Sequence, residues 1–318
     1  MSGADVSRAA IEAAAARIAG RVRVTPVLEP GEGAFGLAPP LCLKLECLQH
    51  AGSFKTRGAF NTLLSRSVPR AGVTAASGGN HGAAVAYAAR ELGHAARIFV
   101  PSIASPAKIE LIRRLGAEIV VGGERYADAQ AACDAHAEAS GALLVHPFAA
   151  AATMAGQGTV AREWAQQVPD LDTVLVASGG GGLVSGMAAW WAEAERPVRV
   201  IAVEPEGSRA LHAALEAGGP IDVAVESVAA DSLGARNVGD LVYGVASRSV
   251  ERAVLVPDAA ITEAQCLLWR DVRIAVEPGG AAALAALLCE AYTPTPGERV
   301  GVLVCGANVD ARGLAALA

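Results

Sequence analysis

The chain has 318 residues, 53% of them hydrophobic, and a net charge of −6. A chain of this length and composition can bury a large core and form one or two domains. Its lysines and arginines are scattered singly, so no basic surface for nucleic acid or an anionic membrane is expected. The expected partner is a small molecule.

Cysteine usage and the amino-terminal residues indicate the compartment. Six cysteines are spread along the chain without a Cys-x-x-Cys pair, which favours reduced thiols in a cytosol over disulfides or a zinc site. Asp5, Arg8 and Glu12 interrupt the first alanines, so no signal peptide is predicted. No uncharged apolar run reaches the ~18 residues of a membrane span. We expect a cytoplasmic protein without a membrane partner.

Apolar strand candidates alternate with helical stretches along most of the chain. The predicted strands are 41–45, 72–76, 96–100, 118–121, 143–146, 173–177, 198–203, 253–256 and 300–304. The predicted helices are 7–19, a run from about residue 56, 80–92, 107–115, 126–139, 158–167, 182–195, 208–217, 259–272 and 280–291. This alternation predicts an α/β protein with mostly parallel sheets flanked by helices.

Lys55 lies in a loop of small residues between a predicted strand and a predicted helix. Burial at such a corner lowers the pKa of a lysine and makes its neutral amine available as a nucleophile toward a carbonyl. A cation at a helix amino terminus is otherwise unfavourable. The position therefore favours a chemical role over a solvated surface lysine.

Two further loops join a strand to a helix through small residues. Backbone N–H groups in the loop Ser77-Gly78-Gly79-Asn80-His81-Gly82 can bind a carboxylate, although an ordinary glycine turn with an Asn cap explains it equally well. Four glycines in Ser178-Gly179-Gly180-Gly181-Gly182-Leu183 can wrap a phosphate. A nucleotide site is the alternative there, with Glu204 as ribose ligand, but the glycines do not fit G-x-G-x-x-G.

The run Lys44-Leu45-Glu46-Cys47-Leu48-Gln49-His50-Ala51-Gly52-Ser53-Phe54-Lys55-Thr56-Arg57-Gly58-Ala59 resembles the cofactor-lysine motif of one enzyme family. It is the pyridoxal-phosphate-dependent serine/threonine dehydratase (threonine ammonia-lyase) family, which is related to serine racemases. Further motifs follow in the family's order up to Val304-Cys305-Gly306-Ala307-Asn308-Val309-Asp310. The resemblance implies a tryptophan-synthase-β-like, two-domain fold of PLP fold type II. Residues 1–50 and 151–318 would form the large PLP-binding domain, and 51–150 a small inserted domain.

The resemblance also implies the cofactor, pyridoxal 5′-phosphate, and the site that holds it. Lys55 would be the Schiff-base lysine and the base that removes the α-proton. The implied cofactor-binding residues are Phe54, Lys55, Asn80, Gly179, Gly180, Gly181, Gly182, Leu183, Glu277 and Cys305. Among them the resemblance implies a hydrogen bond from Asn80 to the phenolic oxygen of the cofactor and places Cys305 at its ring nitrogen. The implied substrate-binding residues are Ser77, Gly78, Gly79, Asn80 and His81, with the His81 backbone more useful than its ring. A homodimer is the family's expectation.

The sequence departs from its relatives at two places. Serine racemases of the eukaryotic type carry a serine, the acid on the second face of the substrate, where this chain has Gly78. Many relatives bind a divalent cation through residues matching Glu204 and Ser208 and an aspartate, but here Ala210 stands at the aspartate position. A hard cation needs about six oxygen ligands, so no metal is predicted.

The sequence thus predicts a lyase that deaminates L-threonine, L-serine or both by β-elimination, giving a 2-oxo acid and ammonia. A hydroxyaspartate lyase or a serine racemase on the same scaffold is the alternative within enzymes. A regulatory protein that binds pyridoxal phosphate without turnover is the alternative outside them.

Overall fold

The computed structural model describes residues 6–38 and 40–309. Asp5 and Asp310, named above, lie outside the described residues. The strands are β1 (Val27–Leu28), β2 (Leu41–Lys44), β3 (Val73–Ala76), β4 (Ala96–Val100), β5 (Glu118–Val121), β6 (Leu143–Leu144), β7 (Thr173–Ala177), β8 (Arg199–Pro205), β9 (Arg252–Val256) and β10 (Val300–Leu303). Within these described residues, no helix is long and apolar enough to cross a membrane.

Helices connect nearly all of these strands. They are α1 (Arg8–Ile18), α2 (Lys55–Leu64), α3 (Asn80–Glu91), α4 (Pro106–Arg114), α5 (Tyr126–Ser140), α6 (Ala151–Gln167), α7 (Gly182–Ala192), α8 (Ala210–Ala217), α9 (Ala230–Leu233), α10 (Gly239–Ser249), α11 (Asp258–Val272) and α12 (Pro278–Leu288).

The strands form two sheets. One has six strands in the order β1-β2-β10-β7-β8-β9, and the other has four in the order β5-β4-β3-β6. Only the short β1 runs antiparallel to its neighbour, and the other paired strands are parallel. The predicted α/β class with mostly parallel sheets is confirmed.

Each sheet has its own apolar core. Leu175, Met187 and Val302 lie in the core of the six-stranded sheet, while Phe60 and Ile98 lie in that of the four-stranded sheet. The four-stranded sheet uses residues 73–144 alone, and the larger one uses chain from both sides of that segment. The domain boundaries near residues 50 and 150 stay a prediction.

The structure differs from the predicted elements mainly around residue 146. Strand β6 ends at Leu144 because the chain turns there, with the Ala149 N–H donating to His146 Nδ1 at 2.9 Å. Helix α6 begins at Ala151, seven residues before the predicted start, since alanine is the strongest helix former. Helices α9 and α10 lie outside the predicted helices.

A buried ionic network fixes helix α2 against the larger sheet. Arg57 donates to both oxygens of Glu46, at 2.8 and 2.7 Å, and to Glu163 Oε2 at 2.9 Å. Lys44 Nζ donates to Glu163 Oε1 at 2.5 Å and to the Thr25 carbonyl at 2.7 Å. The network joins the end of β2, the first turn of α2 and α6, so it sets the position of Lys55.

Replacing Arg57 by leucine should lower the free energy of unfolding by ~3–5 kcal/mol, because Glu46 would keep a buried charge without its partner. Urea unfolding followed by circular dichroism measures the loss. The matched control is Arg113→Leu, which removes an exposed pair with Glu110 and should cost less than about 1 kcal/mol. Equal losses in the two variants would contradict the role given to the network.

Candidate active site

One cavity brings together every residue predicted to bind the cofactor. It is lined by Phe54, Lys55, Asn80, Gly179, Gly180, Gly181, Gly182, Leu183, Glu277 and Cys305. Apart from Glu277, which directly precedes α12, these residues follow the carboxyl ends of β2, β3, β7 and β10 or begin the next helix, which is where open parallel sheets bind ligands. Of the predicted substrate-binding residues, Ser77, Gly78, Gly79 and His81 are outside this lining, and only Asn80 belongs to it.

Lys55 is the first residue of α2 and is half-buried. Its Nζ donates to the Pro147 carbonyl at 2.8 Å and lies 5.2 Å from the centroid of the Phe54 ring. Burial lowers the pKa of Lys55 to about 8, although Cys305 and Glu277 raise it in part. At pH 7 about a tenth of the amine is therefore neutral, far more than in an exposed lysine.

The glycine loop at the start of α7 has no room for side chains. A Cβ at Gly180 would lie 2.4 Å from the Phe148 ring, and one at Gly182 would lie 2.7 Å from the Phe148 carbonyl oxygen. Gly181, the residue before α7, has φ +75° and no side chain caps the helix. The first N–H groups of a helix lack partners within it, so this narrow loop fits the phosphate of the cofactor.

Cys305 and Glu277 lie on another side of the cavity. The Cys305 thiol donates to the Gly279 carbonyl at 3.3 Å, and burial raises its pKa, so the thiol is neutral. Glu277 Oε1 accepts a hydrogen bond from Asn80 Nδ2. Burial also raises the pKa of Glu277, against the attraction of Lys108.

The His81 ring points into the protein. It is 5% exposed, and Nε2 donates to the Val145 carbonyl at 2.8 Å. Burial and the nearby Lys55 lower the pKa of His81 to about 3, so the ring is neutral. This geometry fits the prediction that the His81 ring packs in the interior while the backbone of His81 serves the loop.

Glu204 is bound by protein donors. Its oxygens accept from the N–H groups of Leu211 and His212, at 3.0 and 2.7 Å, and from Ser178 Oγ at 3.3 Å. Burial raises the pKa of Glu204 to about 7. Among residues 6–38 and 40–309, no group of three or more His, Cys, Asp or Glu side chains could hold a metal ion. The absence of a metal stays a prediction.

Phe148, in the cavity lining, and Lys108, beside Glu277, are among the side chains to which sequence reasoning assigned no site role. Phe148 packs on the glycine loop. Lys108, in the first turn of α4, pairs with Asp231 and lies 3.7 Å from Glu277 Oε2. A lysine at a helix amino terminus is unfavourable, and the same signal that marked Lys55 could have marked Lys108.

The two parallel-stranded sheets and this cavity define a PLP fold type II enzyme. The family model described as "Pyridoxal-phosphate dependent enzyme" matches residues 18–306. The chain belongs to this family, and its cofactor is pyridoxal phosphate.

Individual relatives agree with this family. The chain is 39% identical over 306 residues to phenylserine dehydratase of Ralstonia pickettii, covering 95% of this chain and 93% of the relative. It is 37% identical over 304 residues to L-threonine ammonia-lyase of Geobacter sulfurreducens, covering 95% and 75%. Its fold is similar to that of maize serine racemase, with a TM-score of 0.90, 34% identity, and coverage of 98% and 96%. The predicted family resemblance is confirmed.

Replacing Gly180 by alanine should raise the dissociation constant for pyridoxal phosphate about tenfold or more. The added methyl group would overlap the Phe148 ring, and overpacking typically costs ~1–3 kcal/mol. Absorbance titration of the cofactor-free protein measures the constant. Gly219→Ala is the control, because a Cβ there meets no atom within 4 Å. An unchanged constant in Gly180→Ala would show that the loop does not hold the phosphate.

Proposed function

We propose that this enzyme is an ammonia-lyase that removes the β-hydroxyl and the amino group of L-threonine, L-serine or both. The observation that carries the proposal is the half-buried amine of Lys55, whose pKa is lowered to about 8, in a cavity shared with the glycine loop and a neutral thiol. When bound, pyridoxal phosphate supplies an aldehyde for amines and a ring that withdraws electrons from the substrate's α-carbon.

The chain's own residues supply attachment and proton transfer. Lys55 would hold the aldehyde of the cofactor through its amine, and the free amine would be the base that removes the α-proton. The Pro147 carbonyl accepts a hydrogen bond from Lys55 Nζ, which limits where the free amine can point. The N–H groups of Gly179 to Gly182 would hold the phosphate.

Two other loops, those that contain Ser77 and Cys305, would hold the substrate and the cofactor ring. The turn from Ser77 to His81 precedes α3, whose first N–H groups suit the substrate carboxylate, and the Gly79 N–H already donates to Ser77 Oγ at 3.2 Å. The neutral Cys305 thiol would lie at the ring nitrogen, as the family resemblance implies, and would not force its protonation as a carboxylate would. This favours elimination, in which negative charge leaves with the β-substituent.

Gly78 distinguishes elimination from racemisation. A racemase needs a proton donor on the second face of the substrate, and glycine has none. A Cβ at Gly78 would lie 2.6 Å from Ala104 Cβ and 3.1 Å from Val100 Cγ1, so even a serine would need this turn to shift. The similarity to serine racemases makes racemisation the alternative to be tested.

An apolar β-substituent is a second candidate within the same reaction. Large apolar side chains, among them Phe54, Phe148 and Leu233, line the cavity, and the relative from Ralstonia pickettii is a phenylserine dehydratase. These observations place threo-phenylserine beside threonine and serine as a substrate to assay.

The proposal is tested by release of 2-oxo acid from L-threonine, L-serine, D-serine, threo-3-hydroxyaspartate and threo-phenylserine assayed in parallel. We expect turnover of at least one β-hydroxy L-amino acid, and its loss by on the order of 10³-fold or more in Lys55→Ala, which lacks the proton-transfer group. Lys55→Arg keeps the charge and should be equally inactive. Faster formation of D-serine than of pyruvate from L-serine would make elimination the wrong assignment.

The lowered pKa of Lys55 predicts how fast the cofactor-free protein takes up pyridoxal phosphate at different pH values. Only the neutral amine attacks the aldehyde, so the rate should rise about tenfold per pH unit up to about pH 8 and level off above it. Stopped-flow absorbance measures this rate. A rate that still climbs about tenfold per unit near pH 10 would indicate an ordinary exposed lysine.

A further inference from the structure

Asn80 is held by two side chains from distant parts of the chain. Asn308 Nδ2 donates to the Ala51 carbonyl at 2.8 Å and to Asn80 Oδ1 at 2.7 Å. Asn80 Nδ2 in turn donates to Glu277 Oε1. The amide of Asn80 therefore has one neighbour that donates to it and one that accepts from it.

Only one orientation of the Asn80 amide satisfies both neighbours. A carboxamide turned by about 180° exchanges its donor and its acceptor. The Ala51 carbonyl can only accept, so it fixes Asn308 with Nδ2 toward Asn80. An ionised Glu277 also only accepts. Asn80 must then place its oxygen toward Asn308 and its nitrogen toward Glu277.

Both neighbours of Asn80 are confined. A Cβ at Gly52, whose φ is +74°, would lie 2.3 Å from Asn308 Oδ1, so the Asn308 amide fits there only because residue 52 is glycine. The Glu277 side chain is 3% exposed, and Lys108 Nζ lies 3.7 Å from its Oε2. Among the described residues this oxygen has no hydrogen-bond partner. Burial raises the pKa of Glu277, and the charge of Lys108 opposes this effect and favours the ionised form. Protonation at the unpartnered Oε2 would still leave Oε1 an acceptor for Asn80.

The geometry points to Asn308 and Glu277 as positioning residues for Asn80. They fix its amide so that the second N–H of Nδ2, and not the carbonyl, is presented to the cofactor's phenolic oxygen. An anionic oxygen is stabilised by a donor and destabilised by a carbonyl. The inference rests on the proposed function at one point, which is the assignment of Asn80 as the hydrogen-bond partner of the phenolic oxygen.

Asn308→Asp tests the orientation, because it replaces the Nδ2 donor by an oxygen at nearly constant shape. Asn80 would turn to donate to the new carboxylate and would face the cofactor with its carbonyl. Adding Glu277→Gln to this variant places an amide donor opposite the turned carbonyl of Asn80. The double variant also has as many carboxylates as the wild type. The double variant should therefore fold while keeping the reversed amide.

Absorbance spectra and cofactor affinity are recorded for the loaded proteins without substrate, so failure of the proposed reaction would not affect the readout. Both variants should bind pyridoxal phosphate about tenfold or more weakly, since a hydrogen bond to a charged group is worth ~1.5–3 kcal/mol. The absorbance maximum should also differ from wild type, because the phenolic oxygen belongs to the chromophore.

The matched control is Asn61→Asp, which likewise removes a side-chain donor to a backbone carbonyl, that of Ala152, outside the cavity lining. Its spectrum and cofactor affinity should equal those of the wild type. Circular dichroism verifies that each variant is folded. If Asn308→Asp does not fold, the double variant alone tests the inference. Wild-type spectra and affinities within about twofold in the folded Asn308 variants would overturn the inference.

Discussion

The pair of hydrogen bonds that Arg57 makes to Glu46 is the interaction on which the site depends. Arg57 lies in the first turn of α2, which begins at Lys55, and Glu46 lies just beyond the end of β2. Glu163 and Lys44 extend the same network into α6. The backbone of Lys55 is thus fixed relative to both the larger sheet and the helix that follows the turn at Phe148. Because buried charges need partners, this arrangement leaves α2 little freedom to shift.

Burial shifts the pKa of the Lys55 amine and the pKa values of the acids around it in opposite directions. It lowers the pKa of Lys55 and raises the pKa values of Glu277 and Cys305, because a low-dielectric cavity disfavours charge of either sign. A neutral amine can attack a carbonyl. The neutral Cys305 thiol does not compete with this amine as a thiolate nucleophile would. Glu277 differs from Cys305 because it has Lys108 and Asn80 beside it, and both favour its ionised form.

The sequence predicted the backbone parts of the site better than the side-chain contacts around it. Lys55 and the glycines of 179–182 are predictable because a strand, a short loop of small residues and a helix follow one another directly in the chain. Phe148, Asn308 and Lys108 act through contacts across long separations: Asn308 reaches Asn80 over 228 residues, and Lys108 reaches Asp231 over 123. Such contacts depend on how two sheets pack, which periodicity does not encode. The predicted start of α6 falls late for a local reason, since glycines at 156 and 158 obscure the helix that its alanines begin.

Glu204 shows how the glycine loop is supported from behind. Its oxygens bind the first N–H groups of α8 and the hydroxyl of Ser178, and Ser178 directly precedes the four glycines. The glycines cannot pack through side chains of their own, so the loop takes its position from β7, from Phe148 above it and from this carboxylate below. A cation would have to compete with three donors for the same two oxygens, and Ala210 offers it no second carboxylate. The support of the glycine loop is therefore supplied by hydrogen bonds of the chain itself.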